Sequence, residues 1–491
     1  MTTAPEAVEP AVPLASAHVV VAGLGVTGRA VVAALDGRAA RVTTVDAAAP
    51  DADVDDGRLV DLTGVDLVVA SPGWRPDHPL LAGALAAGIP VWSEVELAWR
   101  LRVDRAGGRG PAPWLGVTGT NGKTTTVGML TSILAAAGER VAEVGNVGTP
   151  VVEAALDPAV DVLAVELSSF QLRFTHTTSL EAAAVLNVAS DHLDWHGSLE
   201  RYAADKGRIF THAQRACVYN VGDPVTRRLV EDADVVEGCR AVGFSLGTPG
   251  RAELGVVDDL LVDRAFHAAA DDPARHAGAD ELATLADLDH LGGDAGVPPH
   301  VVANALAAAA LARAHGVAAD DVRAGLRAYA GGRHRIETVA TARVPGGTVR
   351  FVDDSKATNG HAASASLAAF DPGTVVWIVG GLAKGATFDD LVERRADRLR
   401  AAVVVGVDAS EILGALARHA PQIPVVRIDP ADTGTVMTRA VEAATALARP
   451  GDTVLLAPAS ASMDQFRSYA QRGDEFAAAA RAVAGRAMED D

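Results

Sequence analysis

Short apolar runs, each stopped by Gly, Asp, Asn or Ser and followed by an Ala/Leu-rich stretch, recur along almost all of this chain. A strand that is apolar on both faces must be covered on both. Its parallel neighbour is reached only by a crossover, usually a helix, so the alternation predicts βαβ units and parallel sheets of the α/β class. A first block has strands at 18–22, 41–45 and 66–70 and closes at a Gly/Pro/Arg linker, 106–113. A second starts at Trp114, with strands at 162–166, 183–187 and 217–220 and helices near 300–315 and 319–330. A third opens near Arg333, with strands at 349–352, 374–379, 401–407, 424–428 and 453–457. The acidic stretch 248–297 reads as irregular. The 491 residues suit three domains at about 150 residues each.

A formal charge of −20 argues against a general nucleic-acid binder, which needs a basic face to displace counterions. Anionic ligands must then be held by local sites. Only four of the 43 basic residues are lysine: Lys123, Lys206, Lys356 and Lys384. Lysine is a compact charge that can also react as an amine, so lysines retained in an arginine-rich chain mark positions where guanidinium does not serve. Two cysteines, Cys217 and Cys239, build no disulfide framework and fit a reducing compartment. The first 18 residues lack a basic n-region, and no long uncharged apolar stretch occurs, which reads against a signal peptide or membrane insertion. A cytoplasmic protein is expected.

The loop after the strand at 114 contains Gly119, Thr120, Asn121, Gly122, Lys123, Thr124 and Thr125 and runs into a helix. Glycines let consecutive N–H groups wrap phosphate oxygens at a helix N-terminus, Lys123 would reach the β/γ-phosphates, and the Thr124 hydroxyl would ligate Mg²⁺. The strict phosphate-loop spacing is missed, because Val117 stands where the first glycine belongs. Downstream, Glu166 ends one strand, and Asp191 and His192 follow another, both at the edge where ligands of open α/β sheets bind. Thr124, Glu166 and His192 are therefore candidate metal ligands. Lys206 lies on a helix without a glycine loop and reads locally as a salt-bridged surface lysine. The competing reading is a carbamate, formed when a neutral amine adds CO₂, which turns a cation into an anionic oxygen ligand.

Asp354, Lys356 and Thr358 follow one strand of the third block, and Lys384 sits in a Gly-rich turn after the next. Ser462 follows the last strand, and the glycine-rich boundary at 331–335 carries Arg335. These small, polar strand ends suit a phosphate or carboxylate. In the first block Gly23, Gly25 and Gly28, with Asp46 ending the next strand, approach a dinucleotide fingerprint, so a pyrophosphate or nucleotide can dock there, without the motif saying which.

Taken in order, these residues resemble the Mur ligases of peptidoglycan synthesis, from Gly23 to about Phe476. The carriers are residues 119–125, Gly145-Asn146-Val-Gly148, Glu166-Leu-Ser-Ser-Phe-Gln-Leu172, Asp191-His192, and Tyr202 with Lys206. They continue with His334-Arg335, Asp354-Ser-Lys-Ala-Thr-Asn359 and Ser462-Met-Asp-Gln-Phe466. The wording at 166–172 and 354–359 resembles the member that adds D-glutamate.

That resemblance implies an ATP-dependent ligase joining D-glutamate to UDP-N-acetylmuramoyl-L-alanine through an acyl phosphate. It implies three domains: residues 1–111, Rossmann-like, for UDP; 112–332, a central P-loop-type ATPase; and 333–491, Rossmann-like, for the incoming amino acid. Gly25, Thr27, Asp46, Ser71, Gly73, Asn146, Ser168, Gln171 and His192 would hold the nucleotide sugar. ATP would meet residues 119–125 together with Asn304, Arg335, Asp354 and Lys356. Thr358, Lys384, Ser462 and Tyr469 would hold D-glutamate. Thr124, Glu166, His192 and carbamylated Lys206 would hold two Mg²⁺ ions, with Lys123, His192, Lys206 and Lys356 as the catalytic set. A monomer that closes on hinges near 106–113 and 331–335 is expected. Valine at 301, beside His300, replaces the asparagine common in the family, and Ala47 and Ala48 follow Asp46 where polar residues are usual. Rival readings are a folylpolyglutamate synthetase, an NAD(P)-dependent dehydrogenase and a non-catalytic nucleotide-sugar binder.

Overall fold

A computed structural model of the chain describes residues 8–146, 148–269, 272–292, 296–432 and 434–489. Three separate sheets carry the architecture, and it is α/β as the alternation predicts.

The first sheet contains β1 (His18–Ala22), β2 (Arg41–Val45), β3 (Leu67–Ala70) and β4 (Val91–Ser93), all parallel, in the order β2-β1-β3-β4. Four of the five residues of β1 are buried, which is why its side chains are aliphatic without alternation. The helix Val26–Leu35 follows through the glycine turn. A Cβ on Gly28 would lie 1.7 Å from the Gly23 carbonyl oxygen, so only glycine lets this helix approach its strand so closely.

The second sheet runs β5 (Trp114–Thr118), β6 (Val141–Gly145), β7 (Val162–Glu166), β8 (Ala182–Val185), β9 (Ala216–Asn220) and β10 (Arg240–Phe244), continuing into β11 (Glu253–Val257), β12 (Leu260–Asp263) and β13 (Asp280–Thr284). Its order is β13-β12-β11-β10-β9-β8-β5-β7-β6. The last three strands overturn the irregular reading of 248–297. Leu254, Leu261 and Leu282 are fully buried, and β11 and β12 pair antiparallel about a tight turn at Asp258, whose φ is 53°. The acids are structural: buried Asp263 accepts a 2.9 Å hydrogen bond from Arg313 Nε on the helix Pro299–His315. A pair of aspartates between two apolar runs was the missed hairpin signal.

The third sheet contains β14 (Glu337–Val344), β15 (Gly347–Asp353), β16 (Val375–Gly380), β17 (Leu399–Val405), β18 (Val425–Arg427) and β19 (Thr453–Leu456), ordered β14-β15-β19-β16-β17-β18. Only β14 runs antiparallel to its neighbour.

Two compact units result, one reaching Asp287 and including Val301–Tyr329, the other holding Leu288–His300 and the chain from Ala330 onward. The first two sheets belong to one unit and share a core. Ala30, Ala34, Val95 and Ala98 from the first sheet's helices pack into the cluster containing Val151, Val152, Leu163 and Val165. The segment expected as the first hinge is tied down. Arg109 Nη2 reaches Asp161 Oδ1 at 2.7 Å and Arg105 Nη1 donates to the Asp161 carbonyl at 3.2 Å.

Candidate active site

Strand β5 lies between β8 and β7, so its carboxyl end is a point where the chain winds away in both directions, leaving a crevice. The loop after it fills that crevice and enters the helix Lys123–Ala136. Gly122 caps this helix in the left-handed region (φ 86°), and a Cβ there would sit 2.4 Å from Asn304 Oδ1. Asn304 thus packs on the loop. Asn187 grips the same loop twice, accepting from Asn121 N at 2.9 Å and donating to Asn121 O at 3.1 Å. The Thr120 hydroxyl accepts from Ala189 N at 3.0 Å and lies 3.1 Å from the Tyr202 hydroxyl. Lys123 Nζ donates to the carbonyls of Gly119 (2.8 Å) and Thr120 (3.0 Å). Every contact orients the backbone and leaves the loop preformed.

Lys206 is not a surface residue. It is 1 % exposed, and its Nζ donates to Gly119 O at 3.0 Å from beneath the loop. Burial, and then the charge of Lys123, hold its amine well below the ordinary lysine range, against Asp191, Asp205 and Glu166. The local reading failed because a helix rich in charged residues does not reveal that one of its cations faces a neighbouring loop.

Glu166 ends β7, buried, with Oε1 accepting from Asn146 Nδ2 at 3.1 Å; Oε2 is buried with no hydrogen-bond partner. An anionic oxygen withdrawn from water and left unsatisfied is costly, and a hard cation is the partner that suits it. Among the described residues no three His, Cys, Asp or Glu side chains converge as a preformed cage. His192 caps the short helix Leu193–His196 in the left-handed region (φ 51°), its ring edge-on to Phe170. Thr124 is the second residue of the phosphate-loop helix.

Ser168 and Gln171 form a capping box: Gln171 Oε1 accepts from Ser168 N and Oγ, both at 2.9 Å. The Gln171 side chain also hydrogen-bonds Glu94, a residue missed in the sequence because it reads as a simple acid at a helix start. Glu94 is 2 % exposed and accepts from Val152 N at 3.2 Å, and burial raises its carboxyl to about 7. These groups join the first two sheets.

At the carboxyl end of the first sheet, Asp46 after β2 reaches across to the turn after β1: its Oδ2 accepts from Leu24 N at 2.6 Å, and Oδ1 accepts from Ala48 N at 2.8 Å. Those backbone bonds hold its carboxyl below the usual range. Ser71 Oγ donates to Gly23 O at 3.3 Å. Gly25 and Gly73 have open space where a Cβ would be, and Thr27 is half-buried.

In the second unit the loops after β15, β16 and β19 lie side by side. Ala459 N donates to Ala357 O at 2.9 Å, and Leu382 and Ala461 exchange backbone bonds. Lys356 Nζ sits 3.9 Å from the Tyr469 ring centroid, pairing a predicted ATP residue with a predicted D-glutamate residue. Burial raises the Asp354 carboxyl to about 6 against its bond from Ser366 Oγ. Exposed Lys384 (φ 51°) lines a cleft of about 620 Å³ with Gly381, Asp408, Glu411, Ser460 and Asp464; Thr358, Ser462 and Tyr469 are not in its wall. Sequence reasoning missed Arg472, 1 % exposed, which donates to Ser355 O at 2.9 Å and Ser460 O at 3.1 Å, and so fastens two of these loops. Burial, and then the charges of Arg335 beside the strand β14 and of His361, lower the pKa of His300 to about 4.

Residues 117–312 match the Mur ligase middle domain, and residues 334–460 match the Mur ligase glutamate ligase domain. The chain belongs to the Mur ligase family. It is 55 % identical over 485 residues to the UDP-N-acetylmuramoylalanine–D-glutamate ligase of Streptomyces coelicolor, covering 94 % of this chain and 98 % of that one. Among solved structures, UDP-N-acetylmuramate–alanine ligase of Thermotoga maritima aligns over 97 % of this chain and 100 % of its own, with a TM-score of 0.53 and 17 % identity. MurF ligase of the same organism, in complex with ADP, aligns over 86 % and 95 % with a TM-score of 0.53 and 18 % identity. At those identities the likeness speaks for the Mur ligase fold. No described helix is long and apolar enough to cross a membrane.

Proposed function

We propose that this chain is an ATP-dependent ligase that joins D-glutamate to UDP-N-acetylmuramoyl-L-alanine, working as a monomer in the cytoplasm. The observation that carries the ligase chemistry is the buried Lys206 under a preformed phosphate loop, in a site where Glu166 keeps an unsatisfied oxygen. The choice of D-glutamate is supported by the name and near-complete coverage of the Streptomyces relative.

In this reading residues 1–111 hold the nucleotide sugar through Gly25, Thr27, Asp46, Ser71 and Gly73. Residues 112–332 hold ATP on Gly119 to Thr125 with Asn304 beside them. Residues 333–491 bring Thr358, Lys384, Ser462 and Tyr469 to D-glutamate and Arg335, Asp354 and Lys356 to the nucleotide. Asn146, Ser168, Gln171 and His192 line the muramoyl-alanine. The alanyl carboxylate attacks the γ-phosphate and ADP leaves. The amine of D-glutamate, having lost its proton, attacks the acyl phosphate, and the tetrahedral adduct releases inorganic phosphate as the amide forms. Phosphoryl transfer asks the protein for placement and charge neutralisation rather than covalent help. Lys123 exchanges the Gly119 and Thr120 carbonyls for phosphate oxygens, and the loop that Asn187 and Thr120 hold in place presents its backbone N–H groups at the helix N-terminus to the same oxygens. Thr124, Glu166, His192 and Lys206, the last as a carbamate formed by adding CO₂ with loss of a proton, would hold two Mg²⁺ ions. When bound, Mg²⁺ neutralises charge on the transferring phosphoryl group.

The test is phosphate release from ATP with UDP-N-acetylmuramoyl-L-alanine while D-glutamate, L-glutamate, L-lysine and diaminopimelate are exchanged. Release with D-glutamate alone is expected. Equal release with another amino acid, or none with any, would sink the reading.

A further inference from the structure

Three of the four proposed metal-holding side chains sit on separate elements: Glu166 at the end of β7, His192 before the helix Leu193–His196, and Lys206 on the helix Leu199–Gly207. A chain of buried polar groups outside the site ties these elements together. Ser169 Oγ lies 2.9 Å from His196 Nε2, and His196 Nδ1 lies 2.9 Å from Asp205 Oδ2. Each member is close in sequence to one carrier. Ser169 follows Glu166 across the capping box, His196 N bonds His192 O at 3.1 Å across one turn, and Asp205 adjoins Lys206.

We propose that Ser169, His196 and Asp205 form a buried brace that sets the separations of Glu166, His192 and Lys206, which makes His196 a positioning residue of the ligase reaction proposed above. The geometry explains why a brace is needed. A four-residue helix is far too short to hold its own conformation, so the direction of His192 is decided by what grips the other end of that turn. His196 is the grip. Its side chain is wholly buried, stacked on Phe170 (10° between planes, 5.6 Å) and walled by Trp195 and Tyr202. Asp205, which also faces Arg208 Nε at 3.5 Å, accepts from Nδ1–H, and Nε2 shares a hydrogen bond with the Ser169 hydroxyl, which can serve as donor or acceptor. Every polar atom of the imidazole is thereby satisfied, and such a network holds one arrangement well.

The order Ser–His–Asp is also that of a hydrolase triad. Here Ser169 is 3 % exposed on the first residue of a capped helix, so no substrate carbonyl reaches it.

The experiment uses the full chain with ATP, UDP-N-acetylmuramoyl-L-alanine and D-glutamate, with rates normalised to the folded fraction by ADP titration. Because misplacement by about 1 Å costs up to about 100-fold, His196→Ala is expected to lower kcat by about 30-fold and leave the D-glutamate KM within about threefold. The Mg²⁺ concentration for half-maximal rate should rise, and amide hydrogen exchange over 192–197 should quicken. His196→Gln, which keeps one donor and one acceptor, should recover part of the rate. Unchanged kcat with unchanged exchange overturns the brace, as does labelling of Ser169 by a fluorophosphonate. Should His196→Ala fail to fold, Ser169→Ala decides by the same two measurements. If the unmodified protein releases phosphate with no amino acid, the ligase reading fails, while the exchange comparison still decides the brace.

Discussion

Two glycine loops follow buried central strands in this molecule, and they are built in opposite ways. The loop at 119–123 is supported from below and from both sides: Lys206 under Gly119, Asn187 on Asn121, Tyr202 on Thr120, Asn304 against Gly122. The turn at 23–28 is held chiefly by the Asp46 carboxylate and the Ser71 hydroxyl, with Gly25 and Val26 open to solvent. The contrast teaches that a glycine signature specifies a backbone path, whereas the surroundings decide whether that path is rigid. A loop that must stabilise charge in a transition state needs its donors fixed beforehand. In the proposed reading the turn at 23–28 only docks a nucleotide, a task that leaves it free to stay open.

The largest expected effect comes from removing the support under the first loop. Lys206→Ala should lower phosphate release by about 10²–10³-fold, the scale of losing one preorganised electrostatic group. Short-chain carboxylic acids should restore part of it if a carbamate is what is missing. Wild-type activity in Lys206→Arg would end the carbamate assignment.

Glu94 tests the coupling between the two loop-bearing sheets. Its carboxyl rises from 4.5 to about 7 on folding, so the folded state binds the extra proton. Its contribution is intact below pH 4.5 and is lost as pH rises to about 7. Glu94→Gln carries no such charge. Its stability relative to the unaltered protein should therefore climb across that window by up to about 3 kcal/mol and then level off, read as the difference between two melting curves at each pH. A pH-independent difference would mean that the carboxyl is not buried in solution.

The two glycines then separate by substitution. Gly122→Ala must hold a left-handed φ against Asn304, at a cost of about 1–3 kcal/mol, and ATP affinity should fall with it. Gly25→Ala meets nothing and has an ordinary φ of −65°, so stability should stay within about 0.5 kcal/mol by thermal melting. Comparable losses at both positions would erase the contrast. Asp46→Ala removes the acceptor for Leu24 N and should cost about 1 kcal/mol, between the two glycine substitutions, with the ATP KM unchanged.

Much of this was legible in the chain. The runs 18–22, 41–45 and 162–166 are the strands β1, β2 and β7 to the residue: β1 and β7 are buried and aliphatic apart from their ends, and the edge strand β2 is marked by its β-branched Val and Thr. Glu166 stood out as an acid at a strand end, and it is the last residue of β7, buried with one oxygen unsatisfied. Less legible were groups whose importance comes from what covers them. Asp263 reads as one acid among many in an acidic stretch, yet it is buried against Arg313. Glu94 reads as a helix-start acid and is a proton-binding joint between two sheets.

The sequence by itself determined the alternation of strand and helix, the glycine loops at strand ends and the family, since these rest on periodicity and on backbone conformations that neighbours in the chain impose. Only the tertiary structure decided that Lys206 lies beneath Gly119, that Glu166 keeps an oxygen unpaired, and that His196 joins Ser169 to Asp205. Burial and hydrogen bonding of those groups depend on residues dozens of positions away, and no local pattern encodes the desolvation they jointly impose.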